Sequence, residues 1–201
     1  MKRTKEDALT TKKQIIEKAV ELFIRKGFSN TTLDEIAQQT CVTRGAIYWH
    51  FKDKLDIVKE LVEIQHENQT KLLSDLFSSD ASSFNKIQRI IEEIVRNFFE
   101  TKSFRNFIEL TWFKIEYTQL SNLKTTKTEL TDYFVENFRT IVKEAQNNGD
   151  IKNEIDDLDI AITITNMING LYRLYFILPD QINTKEEAMN SFNSYLKLIK
   201  G

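Results

Sequence analysis

Residues 32–54, TLDEIAQQTCVTRGAIYWHFKDK, hold two short helical patterns around a tight break. Thr32 followed three residues later by Glu35 is a capping-box pattern, opening a helix with Ile36 and Ala37 inward. Thr40-Cys41-Val42 interrupts it, and Thr43 can cap a second helix carrying Ala46, Ile47 and Tyr48. Ala37 is small where two helices must cross closely, while Val42 and Ile47 are apolar where the second packs back on the first. Phe51-Lys52-Asp53 ends that helix, and Asp53 can cap a longer one from Lys54. The stretch reads as a helix-turn-helix, whose second helix enters the DNA major groove with its early residues at base edges.

The second helix exposes an unusual density of groups suited to nucleic acid. Arg44 is placed to donate two parallel hydrogen bonds to a guanine edge. Gly45 lets the helix backbone come close to the duplex. Thr32, Tyr48, His50 and Lys54 suit phosphate contacts, which set register rather than sequence, and Thr43 is counted among the DNA-binding residues. Lys54 also sits at a helix N-terminus, where backbone amides favour an anion. Trp49 faces the DNA or packs on the following helix, with the DNA side preferred.

Working outward, almost every segment has helical period, and five Gly with one Pro leave too little punctuation for a strand-rich fold. Ile15, Ala19, Leu22 and Phe23 mark a first helix that Gly27 stops. Leu55 to Leu76 marks a fourth, Phe84 to Phe98 a fifth, Phe104 to Ile115 a sixth, and Leu123 to Ala145 a seventh. Leu158–Leu178 is apolar on nearly all sides, which predicts burial on more than one face before Pro179 ends it. Ala188, Phe192, Tyr195, Leu196 and Ile199 stripe a last helix. The expected fold is all-α with about nine helices. Residues 1–54 are assigned to DNA binding, and residues 55–201 to a helical bundle for ligand binding and dimerisation.

Charge supports the division. The net charge of −2 speaks against a nucleic-acid binder only when taken whole. Residues 1–54 hold 11 Lys+Arg against 7 Asp+Glu, and the remainder 17 against 23, a basic head on an acidic body. One cysteine excludes a disulfide framework, and no apolar run reaches the length of a membrane span, so a cytoplasmic protein without membrane attachment is expected.

VTRGAIYWHFKDK resembles the recognition helix of the TetR-type repressors, most closely the AcrR-like regulators of multidrug efflux. The wider pattern A-x-x-L-F-x-x-x-G-F-x-x-T-T-x-x-x-I-A, from Ala19 to Ala37, agrees with it, and the match spans about residues 10–62. The resemblance implies a nine-helix protomer, a homodimer built on the last two helices, and operator binding released by a small molecule. It places Gly170, Tyr172, Phe192 and Tyr195 at the dimer seam; Gly170 lies mid-helix, where only a close crossing or a pocket offsets its cost. The family usually has Gly at the turn where this chain has Cys41, so a positive φ there strains the backbone by about 1 kcal/mol.

Candidate ligand groups are polar residues in apolar faces and aromatics near them. Gln65, His66 and Gln69 interrupt the face that Val62 and Leu73 make apolar, and Asn166, Asn169 and Arg173 do so in Leu158–Leu178. Phe98, Trp112 and Phe113, with Glu116, add aromatic surface and an acid suited to a lipophilic cation. The expected ligand is small and hydrophobic, contacting Val62, His66, Gln69, Phe98, Trp112, Phe113, Glu116 and Asn166. Equally, the aromatics suit a packed core and the Asn/Arg set a dimer seam.

No catalytic residue, metal site or cofactor is expected. Glu63 and His66 form one Glu-x-x-His unit, but His50 is preceded at that spacing by Ile47, so the second half of a di-iron site is missing. Two further readings stand beside the repressor: a helical-bundle carrier or enzyme with a vestigial DNA-binding domain, and a regulator that senses oxidants through Cys41.

Overall fold

The computed structural model describes residues 5–78, 81–115, 124–182 and 184–201. Nine α-helices and no β-strand occur among them: α1 (Lys5–Lys26), α2 (Leu33–Gln39), α3 (Arg44–His50), α4 (Lys54–Phe77), α5 (Ser83–Glu100), α6 (Lys102–Glu109), α7 (Lys124–Asn147), α8 (Asp157–Ile177) and α9 (Lys185–Ile199). No helix among the described residues is long and apolar enough to cross a membrane. The chain divides into two compact units, Met1–His66 with Ser103–Lys124, and Glu67–Lys102 with Thr125–Gly201.

In the first unit, Ile15, Ala19 and Phe23 of α1 are buried with Ile36 of α2, Ile47 of α3 and Ile57 of α4. Gly27 closes α1 with φ +89°, its amide donating to the Phe23 carbonyl at 2.9 Å. Lys12 bridges α1 to Glu60 of α4 at 2.5 Å and stands over the Phe51 ring. The expected sixth helix ends at Glu109 and passes into a π-helical turn, Leu110–Lys114. The wider turn changes the register of the apolar face. Leu110 and Thr111 are buried, whereas Trp112 and Phe113 are exposed.

The second unit is built around α5, whose stripe Ile87, Ile90, Ile91, Ile94, Val95 and Phe98 is buried. Ser83, at its start, donates to Glu144 of α7 at 3.2 Å. Phe98 lies in an aromatic cluster, 4.8 Å from Tyr172 and 5.0 Å from Tyr175 between ring centroids. Burying one such ring contributes about 1.5–3 kcal/mol. Gly149 closes α7 with φ +77°, and the Asp150 amide reaches back to the Ala145 carbonyl at 2.8 Å. The buried Gln146 amide donates to the carbonyls of Lys152 and Ile155, which fixes the approach to α8.

The expectation that Leu158–Leu178 buries more than one face is not met within this unit. Ile160, Ala161, Ile164, Ile168 and Leu171 are buried, but Ile162, Leu174 and Ile177 are exposed.

Candidate nucleic-acid interface

The helix-turn-helix is assembled by its caps. Thr32 accepts from the Glu35 amide at 3.2 Å, and Glu35 accepts from the Thr32 amide at 2.9 Å, the reciprocal box its sequence announces. Lys26 pairs with Glu35 and, with the Thr32 backbone amide, holds that carboxyl below the usual carboxylate range. Thr43 caps α3 by accepting from the Ala46 amide at 3.1 Å, and Asp53 caps α4 by accepting from the Asp56 amide at 2.8 Å.

Between α2 and α3, Cys41 has φ +53°, the one positive φ outside glycine among the described residues. The Cys41 amide donates to the Gln38 carbonyl and the Val42 amide to the Ala37 carbonyl at 3.1 Å, a Schellman closure that demands the left-handed residue. Cys41 therefore takes the strain that glycine would avoid, and its thiol is exposed.

This closure sets α3 with Ile47 wholly buried and the opposite face outward. Arg44, Gly45, Tyr48 and Trp49 are all on that outer face, Trp49 72% exposed. Trp49 thus lies outward, and its ring meets His50 edge-on at 4.6 Å. A Cβ added at Gly45 would meet nothing within 4 Å, so α3 presents an open backbone surface there.

The Arg44 Nε forms an ion pair with Asp34 Oδ1 at 3.0 Å, and its guanidinium lies 5.7 Å from the Tyr48 ring centroid. A hydrogen bond with Tyr48 and the charge of Asp34 raise its already high pKa. Beside this pair a groove of about 390 Å³ is lined by Thr32, Asp34, Tyr48, Lys52, Asp53 and Lys54 among others.

Lys54 is partly committed to the fold: its Nζ donates to the Phe28 carbonyl at 2.6 Å and the Ser29 carbonyl at 3.3 Å, over the Phe28 ring. An ammonium has three donors, so one remains for a phosphate. Partial burial lowers its pKa, with Glu35 opposing. Asp34 and Lys52 are not among the residues that sequence reasoning singles out; the available clue is that each opens or follows one of the two short helices whose ends the turn brings together.

The ligand candidates are divided between the two units. Val62 falls in the first unit and is buried; His66, in the same unit, is half-buried; Trp112 and Phe113 are exposed there on the π turn. Gln69 and Phe98 are buried in the second unit, where Phe98 is packed core. Asn166 is exposed on α8 rather than turned into a cavity. Glu116 lies outside the described residues. Along α4, Val62, Gln65, Gln69 and Leu73 make one buried stripe that carries two amides, and next to it the Thr70 hydroxyl oxygen is buried without a hydrogen-bond partner.

Two of the seam candidates, Tyr172 and Phe192, are packed into the protomer. They are 6% and 2% exposed within the unit itself, Tyr172 against Phe98. Tyr195 is half-buried and hydrogen-bonded to Thr163, an interaction outweighed by burial, which raises its pKa. Gly170 needs no room inside the protomer, since an added Cβ would meet nothing within 4 Å. It falls with Ile162, Asn166, Arg173 and Ile177 on one helical stripe that reaches the surface.

Comparison with known proteins agrees at both ends of the chain. Residues 15–61 match the family described as bacterial regulatory proteins, tetR family, and residues 82–200 the MAATS-type transcriptional repressor, C-terminal region. The HTH-type transcriptional regulator TtgR of Pseudomonas putida is 28% identical over 202 residues, covering 100% of this chain and 96% of that protein. Among solved structures, NalD, the secondary repressor of the MexAB-OprM multidrug efflux pump in Pseudomonas aeruginosa, superposes with a TM-score of 0.81 at 23% identity, over 98% of each chain. A SmeT–triclosan complex gives a TM-score of 0.81 at 19% identity, covering 96% of this chain and 92% of that one.

Proposed function

Because this chain belongs to the TetR family of bacterial regulatory proteins, with the C-terminal region of the MAATS-type repressors, we propose that it is a cytoplasmic, one-component repressor of a multidrug efflux gene. It acts as a homodimer on a pseudo-palindromic operator, with residues 1–54 reading DNA and residues 55–201 binding ligand and pairing protomers. The observation that carries the reading is the outward face of α3, where Arg44 opens the helix beside Gly45, Tyr48 and Trp49. Two such helices about one turn of DNA apart would read two half-sites. Arg44 contacts a base edge; Thr32, Thr43, Tyr48, Trp49, His50 and the third donor of Lys54 contact the backbone, and Lys52, which lines the groove beside them, joins them in this reading.

Pairing is supported by the α8 stripe Ile162, Asn166, Gly170, Arg173 and Ile177, on which two exposed isoleucines flank the half-buried glycine. The exposed Leu198 of α9 extends the apolar surface. Ligand binding is supported by the Thr70 hydroxyl of α4, a polar group buried without a hydrogen-bond partner that a guest could meet. NalD represses an efflux pump and SmeT was solved with triclosan, which favours a small hydrophobic inducer. Such a ligand releases DNA only by binding the DNA-incompetent conformation more tightly.

Gel shifts with DNA from upstream of the chain's own gene test the reading. A salt-sensitive shift, weakened about tenfold to a hundredfold by Arg44→Ala, is expected. No salt-sensitive shift on any such fragment would sink it.

A further inference from the structure

Asp34, in the first turn of α2, holds the Nε of Arg44 at 3.0 Å, and Tyr48 flanks the same guanidinium from one turn further along α3. The packing of α2 and α3 through buried Ile36, Ala37 and Ile47 brings these two helix starts together. We propose that Asp34 is a positioning residue that sets base specificity through Arg44; this rests on the reading of Arg44 as the base-contacting side chain. Two effects combine.

First, a long arginine side chain otherwise keeps several rotamers, and two contacts restrict it before DNA arrives. The carboxylate lies against the Nε side of the guanidinium, and the N–H donors left by it and by Tyr48 can pair with two parallel acceptors such as guanine O6 and N7. The Arg44 side chain keeps 69% of its surface exposed, so the ion pair restrains it without hiding it.

Second, Asp34 is itself 55% exposed and lines the groove with Tyr48, Lys52 and Lys54. A carboxylate there repels every phosphate backbone alike. Only a base that satisfies the Arg44 fork offsets that repulsion, so discrimination rises while affinity for any duplex falls. An exposed ion pair contributes little to folding, so a role confined to stability gives neither effect.

Selection from a pool of duplexes with randomised centres, using the full chain, tests this. The parent, Arg44→Ala, Asp34→Asn and Asp34→Glu are compared by base preference at each enriched position and by binding to unselected pool DNA. Arg44→Ala should abolish preference at one position per half-site. Asp34→Asn should weaken that same position by about threefold or more, leave the others unchanged, and bind the unselected pool as tightly as the parent or more tightly. Asp34→Glu should restore part of the preference. If Arg44→Ala changes no single position, the reading of Arg44 fails and this role with it. If Arg44→Ala removes one position's preference but Asp34→Asn leaves it intact, or erodes all positions equally, the role of Asp34 alone is refuted.

Discussion

Replacing Gly170 by Ala isolates the seam from the protomer. Beyond the neighbouring backbone of its own helix, nothing in the protomer lies within 4 Å of the added methyl, and the residue sits within the 21-residue helix α8. A mid-helix Gly costs about 1 kcal/mol relative to Ala, so the separated protomer should be stabilised by about that amount. In a chain of this size the gain raises the melting temperature by about 2–4 °C. The same gain applies to the protomer within a dimer, so it cancels from the dissociation equilibrium. What remains is the clash between the methyl and a closely approaching partner helix. Overpacking costs about 1–3 kcal/mol per site, and two-fold symmetry places two sites in one seam. The dissociation constant should therefore rise by roughly thirtyfold or more, since each 1.4 kcal/mol is about a factor of ten. Sedimentation equilibrium over a range of concentrations reads the association, and thermal melts at the most dilute end read the protomer. An Ala variant that dimerises as tightly as the parent while melting higher would refute a close approach at Gly170 and move the seam elsewhere.

Two further substitutions bear on strain and burial. Cys41→Gly removes the side chain from a φ of +53° and should stabilise the protein by up to about 1 kcal/mol; a variant that melts below the parent would show that the turn is unstrained. Burial raises the Tyr172 phenol above its ordinary pKa of 10.0, so the folded state favours the protonated form. That contribution is complete below about pH 10 and is lost as pH rises toward the folded value. Tyr172→Phe should accordingly flatten the alkaline fall in melting temperature, and a parallel fall in both proteins would contradict the assignment.

Local chemistry explains which parts of this protein can be read from its residues. The box of Thr32 and Glu35, the cap at Thr43 and the stop at Gly27 each act within a few residues, so sequence order alone exposes them. The strain at Cys41 is legible only through the resemblance, since the family usually has Gly at that turn, and the structure gives Cys41 the positive φ. What sequence order hides is which of two buried surfaces a residue joins. Tyr172 and Asn166 lie on one helix six residues apart, yet one is in the core beside Phe98 and the other is at the surface. Only the packing of α5 against α8 decides that. The π turn after α6 rotates Trp112 and Phe113 outward, and nothing in LTWFK announces a change of helical period.

Counting charges misses a further distinction, between a cation available to DNA and one committed to holding the reading head together. Lys12 is paired to Glu60, Lys26 to Glu35 and Arg44 to Asp34, while Lys54 holds two carbonyls of the segment after α1. The excess of 11 basic over 7 acidic residues therefore goes partly to fixing where α2, α3 and α4 start. Each pair is exposed or half-exposed and weak as a contribution to folding, but every one of them joins two different elements of the head. Their effect is on geometry, and geometry is what a recognition helix needs. A fork displaced by an ångström loses both hydrogen bonds to a base, whereas a displaced point charge still attracts a phosphate. The carboxylates in the basic head, which as a sum only dilute its charge, thus contribute to specificity by holding its cations in place.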